Sequence, residues 1–143
     1  MIVEQLLNPD SIVVIGASND VQKPGGKALK NLVQGGYDGK IMAMNPKETE
    51  VQGIKCAQEL TQLENVDLAI IAIASKYIPD TIDYLAKEKN ARAFIVLSAG
   101  FSEIGAEGKQ LEDKIVDTVN RVGGSLIGPN CIGMLTPRYK GTF

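Results

Sequence analysis
The stretch Ser11–Gly26, SIVVIGASNDVQKPGG, constrains this chain more than any other. Ser11-Ile-Val-Val-Ile has no polar alternation, so it predicts a parallel strand buried on both faces. The run stops at Gly16-Ala17-Ser18, a polar loop follows, and Gly25-Gly26 open a helical pattern. Doubly wound α/β domains build anion sites this way. Small residues let backbone approach the ligand, and the free N–H groups at the helix start attract negative charge. The glycines stand at Gly16, Gly25 and Gly26, so the spacing is not the GxGxxG of an ordinary dinucleotide fingerprint. A tight strand–helix turn without a ligand would use the same residues.

The remainder of the chain repeats the alternation. Apolar runs at Lys40–Met44, Leu68–Ile73, Ala93–Leu97 and Ser125–Ile127 are separated by helical stripes. The stripes are Ala28, Leu29, Leu32 and Val33, then Ile78, Ile82, Leu85 and Ala86, then Leu111, Ile115, Val119 and Val122. Pro79 lies early in the second, where a missing N–H is tolerated, and Gly35-Gly36 and Gly123-Gly124 are helix stops. Residues 51–55 predict a short extended piece, and Ala57–Leu63 a short helix. Strands alternating with helices predict a Rossmann-like, doubly wound parallel sheet with helices on both faces. The expected order of the five runs is 3-2-1-4-5, with ligand at the carboxyl ends of the strands.

A chain of 143 residues makes one domain. Its body is expected at residues 1–137, with 138–143 a linker toward a further domain, since the tail after Gly133 has no periodicity. A net charge of −2 with 44% hydrophobic residues gives no excess that would draw the chain to nucleic acid or a membrane surface. The start carries Glu4 and no basic leader, and no apolar run reaches membrane length. Cys56 and Cys131, without a CxxC, fit a reducing cytoplasm. The count of zero histidines removes Ser/His and Cys/His catalysis, His-ligated metals and phosphohistidine chemistry from this segment. Cys131 therefore reads as an inert, partly buried thiol rather than a nucleophile.

The strand ends are read together because the fold brings them to one crevice. They are Gly16, Ala17 and Ser18; Asn45, Pro46 and Lys47; Ala74, Ser75 and Lys76; Ser98, Ala99 and Gly100, with Glu103 beyond; and Gly128, Pro129, Asn130 and Cys131. The second end discriminates most. An NAD site places Asp or Glu there for the ribose hydroxyls, whereas this chain has Asn45 and a cation, Lys47. That pair suits a phosphorylated ribose, either the 2′-phosphate of NADP or the 3′-phosphate of coenzyme A. Ser98-Ala99-Gly100 is small enough to let a ligand chain pass close to backbone. Glu103 reads as a cap on nearby backbone, Glu107, Glu112 and Asp113 as a solvated helix face, and Lys23 as either a phosphate contact or a plain loop lysine.

IGAS with the two-glycine helix start, KIMAMNPKETEVQGIKC, VLSAGFSEIGAEG and IGPNCIGML occur in that order. Together, from about Leu7 to Pro137, they resemble the N-terminal coenzyme A-binding domain of the nucleotide-diphosphate-forming acyl-CoA synthetases. That family includes the ADP-forming acetate–CoA ligases and, more distantly, the succinyl-CoA synthetase alpha subunit. The resemblance implies coenzyme A as ligand. Gly16, Ala17 and Ser18 would contact its phosphates through backbone and hydroxyl, with Lys23 and Gly25 of the same loop counted as binding residues from the loop's own pattern. Asn45 and Lys47 would hold the adenosine and 3′-phosphate end. Ala74 and Ser75 would line the cofactor, Ser98, Ala99 and Gly100 would flank the pantetheine arm, and Asn130 would lie near the thiol. It implies as partners a phosphohistidine domain and an ATP-grasp domain, or a beta subunit, so this segment alone would bind without turnover. Two rival readings are a regulatory coenzyme A-binding module of a fused acetyltransferase and an NADP-dependent oxidoreductase domain.

Overall fold
The structure is a computed structural model and describes residues 2–143. The strands are β1 (Ser11–Ile15), β2 (Lys40–Met44), β3 (Glu50–Val51), β4 (Ile54–Ala57), β5 (Leu68–Ile71), β6 (Ala93–Val96), β7 (Ser125–Ile127), β8 (Gly133–Leu135) and β9 (Lys140–Thr142). The helices are α1 (Glu4–Leu7), α2 (Pro24–Gln34), α3 (Ile78–Glu88) and α4 (Ala106–Arg121). A seven-stranded sheet has the order β3-β4-β2-β1-β5-β6-β7, parallel throughout except for β3, which runs antiparallel to β4. The expected doubly wound α/β architecture is therefore present.

Pleating divides β1 between two cores. Ile12 and Val14 enter one, Val13 and Ile15 the other, and all four are fully buried. That is why the run shows no polar alternation. On the first face, α2 supplies Ala28, Leu29 and Leu32 and α1 supplies Leu6. On the second, α3 supplies Ile78, Ile82, Leu85 and Ala86, and α4 supplies Ile115 and Val119. Each fully buried aliphatic side chain contributes about 1.5–3 kcal/mol relative to exposure. Val33, expected in the first stripe, is instead 47% exposed.

The strand order corrects the expectation. Leu68 to Ile71 pairs directly with β1, so the five runs lie as 2-1-3-4-5. The place outside β2 belongs to β4, whose Cys56 and Ala57 pair with Ala43 and Met44. β4 is short and carries exposed Lys55 at its centre, so its sequence lacks the apolar run that marks an inner strand. The chain reaches it by a two-residue hairpin turn, Gln52-Gly53, rather than a helical crossover. The short helix expected at Ala57–Leu63 is a single 3-10 turn, Leu60–Gln62.

The tail is folded as well. β8 and β9 form an antiparallel pair, and β9 packs on α2. Tyr139 is 1% exposed, and its hydroxyl donates to Leu6 O at 2.7 Å. Its ring meets Tyr37 edge-on, with centroids 6.5 Å apart. Arg138 lies over the Tyr37 ring, and its Nε stands 3.4 Å from Asp38 Oδ1, an ion pair without hydrogen-bond geometry. Residues 138–143, expected as a linker, thus close one face of the sheet. A single buried tyrosine among polar residues carries no period, which is why the sequence hides this.

Candidate functional site
The carboxyl ends of β1, β2, β5, β6 and β7 lie along one edge of the sheet, and their loops are stitched to one another by hydrogen bonds. Gly16 leaves β1 at φ 89°, a left-handed conformation that a β-carbon would strain, and its missing Cβ lets Ala72 O approach. The N–H groups of Gly16 and Ala17 both donate to Met44 O, at 2.9 and 3.2 Å. These two amides are therefore engaged within the protein, and the Ala17 side chain is fully buried. They shape the loop by tying it to the end of β2. Ser18 Oγ accepts from the Asp20 N–H at 2.9 Å.

The open donors lie one step further, at the start of α2. No side chain caps this helix, and Pro24 occupies its first position. Gly25 and Gly26 follow in the first turn, where N–H groups have no intrahelical acceptor. A β-carbon on Gly25 would collide with Gly16 O, and one on Gly26 with Asp20 O. Both glycines thus let the helix start press against the turn after β1. Lys23 is exposed beside them and makes no ion pair among the described residues.

At the end of β2, Asn45 Nδ2 donates to Ala17 O at 2.8 Å, and Asn45 Oδ1 accepts the Lys47 N–H at 2.9 Å. Both polar atoms of Asn45 are thereby used to tie the two strand ends together and to fold the turn that presents Lys47. Lys47 is exposed and also unpaired with any carboxylate among the described residues.

The remaining ends join similarly. Ser98 Oγ donates to Ile73 O at 2.6 Å, and the Asn130 N–H donates to Ser98 O at 2.9 Å. Ser75 packs against Gly100, whose φ of 102° and crowding by Ser75 Oγ both favour glycine. Ala74, Ala99 and Asn130 are exposed, and Asn130 sits at φ 56° after the cis Gly128–Pro129 bond. Cys131 is half-buried with its thiol directed to Val96 O at 3.3 Å, and burial pushes its pKa up. That is an inert thiol. Glu103 accepts from the N–H groups of Phe101 and Gly100, which hold its carboxyl below the usual range. The amide proton shifts of Gly100 and Phe101 are expected to titrate with Glu103, with a midpoint below that of an ordinary glutamate. NMR across the acid range checks this, and an unshifted midpoint would show that the cap does not form.

Sequence reasoning missed Asn19 and Gln52. Asn19 Oδ1 accepts the Gln52 N–H at 2.8 Å, and Gln52 Nε2 donates to Ser18 O and Gly26 O. The hairpin β3–β4 thus forms a wall of the first loop. The reading of residues 51–55 as a plain extended piece gave no sign of this turn.

A cavity of about 800 Å³ lies elsewhere. It spans the sheet face between Met42 and Cys56, beside the exposed Lys40–Glu64 ion pair, and none of the loop residues described above lines it. It exists because a hairpin, not a helix, joins β2 to β4. The strand-end site is by contrast an open ridge of loops.

Residues 10–137 match the family described as the CoA binding domain. The chain belongs to that family. This CoA-binding-family domain is 40% identical over 133 residues to the ADP-forming acetate–CoA ligase I of Archaeoglobus fulgidus, covering 92% of this chain and 19% of the relative. It is 39% identical over 134 residues to the alpha subunit of the ADP-forming acetate–CoA ligase II of Pyrococcus furiosus, covering 92% of this chain and 29% of that subunit. The solved dinucleotide forming acetyl-coenzyme A synthetase 1 of Ca. Korarchaeum cryptofilum, in complex with phosphate and ADP, superposes with a TM-score of 0.87 at 34% identity. That match covers 97% of this chain and 30% of the synthetase chain. The domain thus spans about a fifth to a third of the length of these relatives. No helix among the described residues is long and apolar enough to cross a membrane.

Proposed function
We propose that this domain binds coenzyme A at the strand-end ridge and serves as the coenzyme A-binding part of an ADP-forming acyl-CoA synthetase. The observation that carries the reading is the end of β2. Where a nicotinamide dinucleotide site holds a carboxylate for the ribose diol, Asn45 ties down the turn and presents the free cation Lys47. An unpaired lysine suits a ribose phosphate. Membership of the CoA binding domain family supports the 3′-phosphate of coenzyme A over the 2′-phosphate of NADP as the group Lys47 would meet.

In this reading Lys47 holds the 3′-phosphate, and Asn45 positions the adenosine end through its turn. The uncapped start of α2, with Lys23 and Ser18, faces the pyrophosphate. Gly16, Ala17 and Gly25 set the shape of that loop. Ala74, Ser75, Ser98, Ala99 and Gly100 line the pantetheine arm, and Asn130 lies toward the thiol. Coenzyme A supplies the thiol that accepts the acyl group. This chain, with zero histidines, contributes no phosphohistidine, so that step and nucleotide binding fall to other domains or a beta subunit.

Calorimetric titration with coenzyme A, dephospho-coenzyme A, NADP and NAD tests the reading. Coenzyme A is expected to bind tightest, and Lys47→Ala to weaken it about tenfold while leaving dephospho-coenzyme A unchanged. Equal loss for both would remove the 3′-phosphate from Lys47. Binding of NADP alone would overturn the function.

A further inference from the structure
Gln52 occupies a position that its residue type does not favour. It is the first central residue of the two-residue turn joining β3 to β4, and Gln52 and Gly53 lie at φ 51° and 81°. Two positive φ values define the type I′ turn, whose first position strongly prefers asparagine, aspartate or glycine. Glutamine gains nothing there from local geometry. Its extra methylene does lengthen its reach, and the amide uses that reach fully. Nε2 donates to Ser18 O at 2.9 Å and to Gly26 O at 2.8 Å, at the two ends of the first loop. The backbone N–H of Gln52 donates to Asn19 Oδ1 at 2.8 Å, and Asn19 Nδ2 returns a bond to Glu50 O at 3.3 Å.

We infer that Gln52 is a positioning residue: it clamps the loop 18–26 from outside and so pre-orders the start of α2 for an anionic ligand. No side chain within the loop caps α2, so the helix start owes its placement to the Gly16–Gly25 contact on one side and this hairpin on the other. A loop held in its binding conformation avoids the ordering cost on association. The inference rests on the coenzyme A reading for the identity of the anion, a pyrophosphate, but the clamp itself does not.

Gln52→Asn separates the two. Asparagine suits the type I′ turn better, so the thermal midpoint should hold or rise, yet its amide falls short of Ser18 O and Gly26 O. Amide exchange of the free protein, read by mass spectrometry, should quicken at least fivefold across residues 18–26 and stay unchanged in α3 and α4. Affinity for coenzyme A and dephospho-coenzyme A should fall at least fivefold, while adenosine 3′-phosphate, which lacks the pyrophosphate, binds as before. Asn19→Ala, which leaves the turn residues intact, should quicken exchange in the same loop. Unchanged exchange in both variants overturns the clamp. Equal weakening of all three ligands overturns pre-ordering for the pyrophosphate. Should the unsubstituted chain bind none of them while Gln52→Asn still loosens the loop, the clamp stands and the coenzyme A reading fails.

Discussion

Gly25→Ala is expected to destabilise the domain by about 3 kcal/mol or more, the upper range for overpacking. It should also abolish ligand binding at the strand ends wherever the chain remains folded. Helix propensity alone gives the opposite sign, since alanine in a helix is favoured over glycine by about 1 kcal/mol. Contact geometry overrides it. The β-carbon would fall well inside van der Waals distance of Gly16 O and crowd the Gly16 carbonyl carbon, and both are backbone atoms. No side chain can swing aside, so α2 must move off the turn and take its first N–H groups with it. Gly36→Ala is the control. Gly36 lies at φ 80° with nothing within 4 Å of an added β-carbon, so it loses only backbone conformation, about 1–2 kcal/mol. Urea unfolding of the two variants decides the matter. Equal losses would show that the approach of α2 to the β1 turn is not what Gly25 serves.

The sequence made these glycines visible but not their purpose. Gly16 and Gly25 suggested backbone opened toward a ligand, whereas the structure sets them against each other and against Ala72. Spacing along the chain cannot distinguish a ligand from another segment as the thing that approaches. The parallel core was legible because strands buried on both faces, such as β1, read as unbroken apolar runs. β4 was not, because an outer strand buries alternate residues and Lys55 breaks the run. Assigning the outer place to Leu68–Ile71 followed directly from missing it. Lys47 was legible through its position after β2. Asn45 was only half so, since its role depends on an acceptor, Ala17 O, that lies 28 residues away in sequence. Gln52 shows the same limit, because its partners lie in the loop after β1.

Tyr139→Ala is expected to cost about 3–5 kcal/mol, the usual range for deleting a buried aromatic ring. The ring fills the space between Leu6, Tyr37 and Met134 in the core that α2 covers, so its loss leaves a cavity beneath β9. Tyr139→Phe keeps the ring and removes the hydroxyl with its bond to Leu6 O and its weaker contact to Met134 Sδ, and should cost about 1 kcal/mol. The hydroxyl also predicts a pH dependence. Burial raises the pKa of Tyr139 from 10.0 to about 12, and burial raises Tyr37 to about 12 as well. The folded state therefore holds these protons more tightly than the unfolded chain. Their contribution is fully present below pH 10 and is lost as pH rises through about 12. Tyr139→Phe should make that alkaline decline shallower without removing it, since Tyr37 still titrates. Urea unfolding across the alkaline range measures both effects. A Tyr139→Ala cost below about 1 kcal/mol would return residues 138–143 to the status of a linker. A cost in the expected range makes them part of the domain, because only a packed segment can lose that much with one side chain.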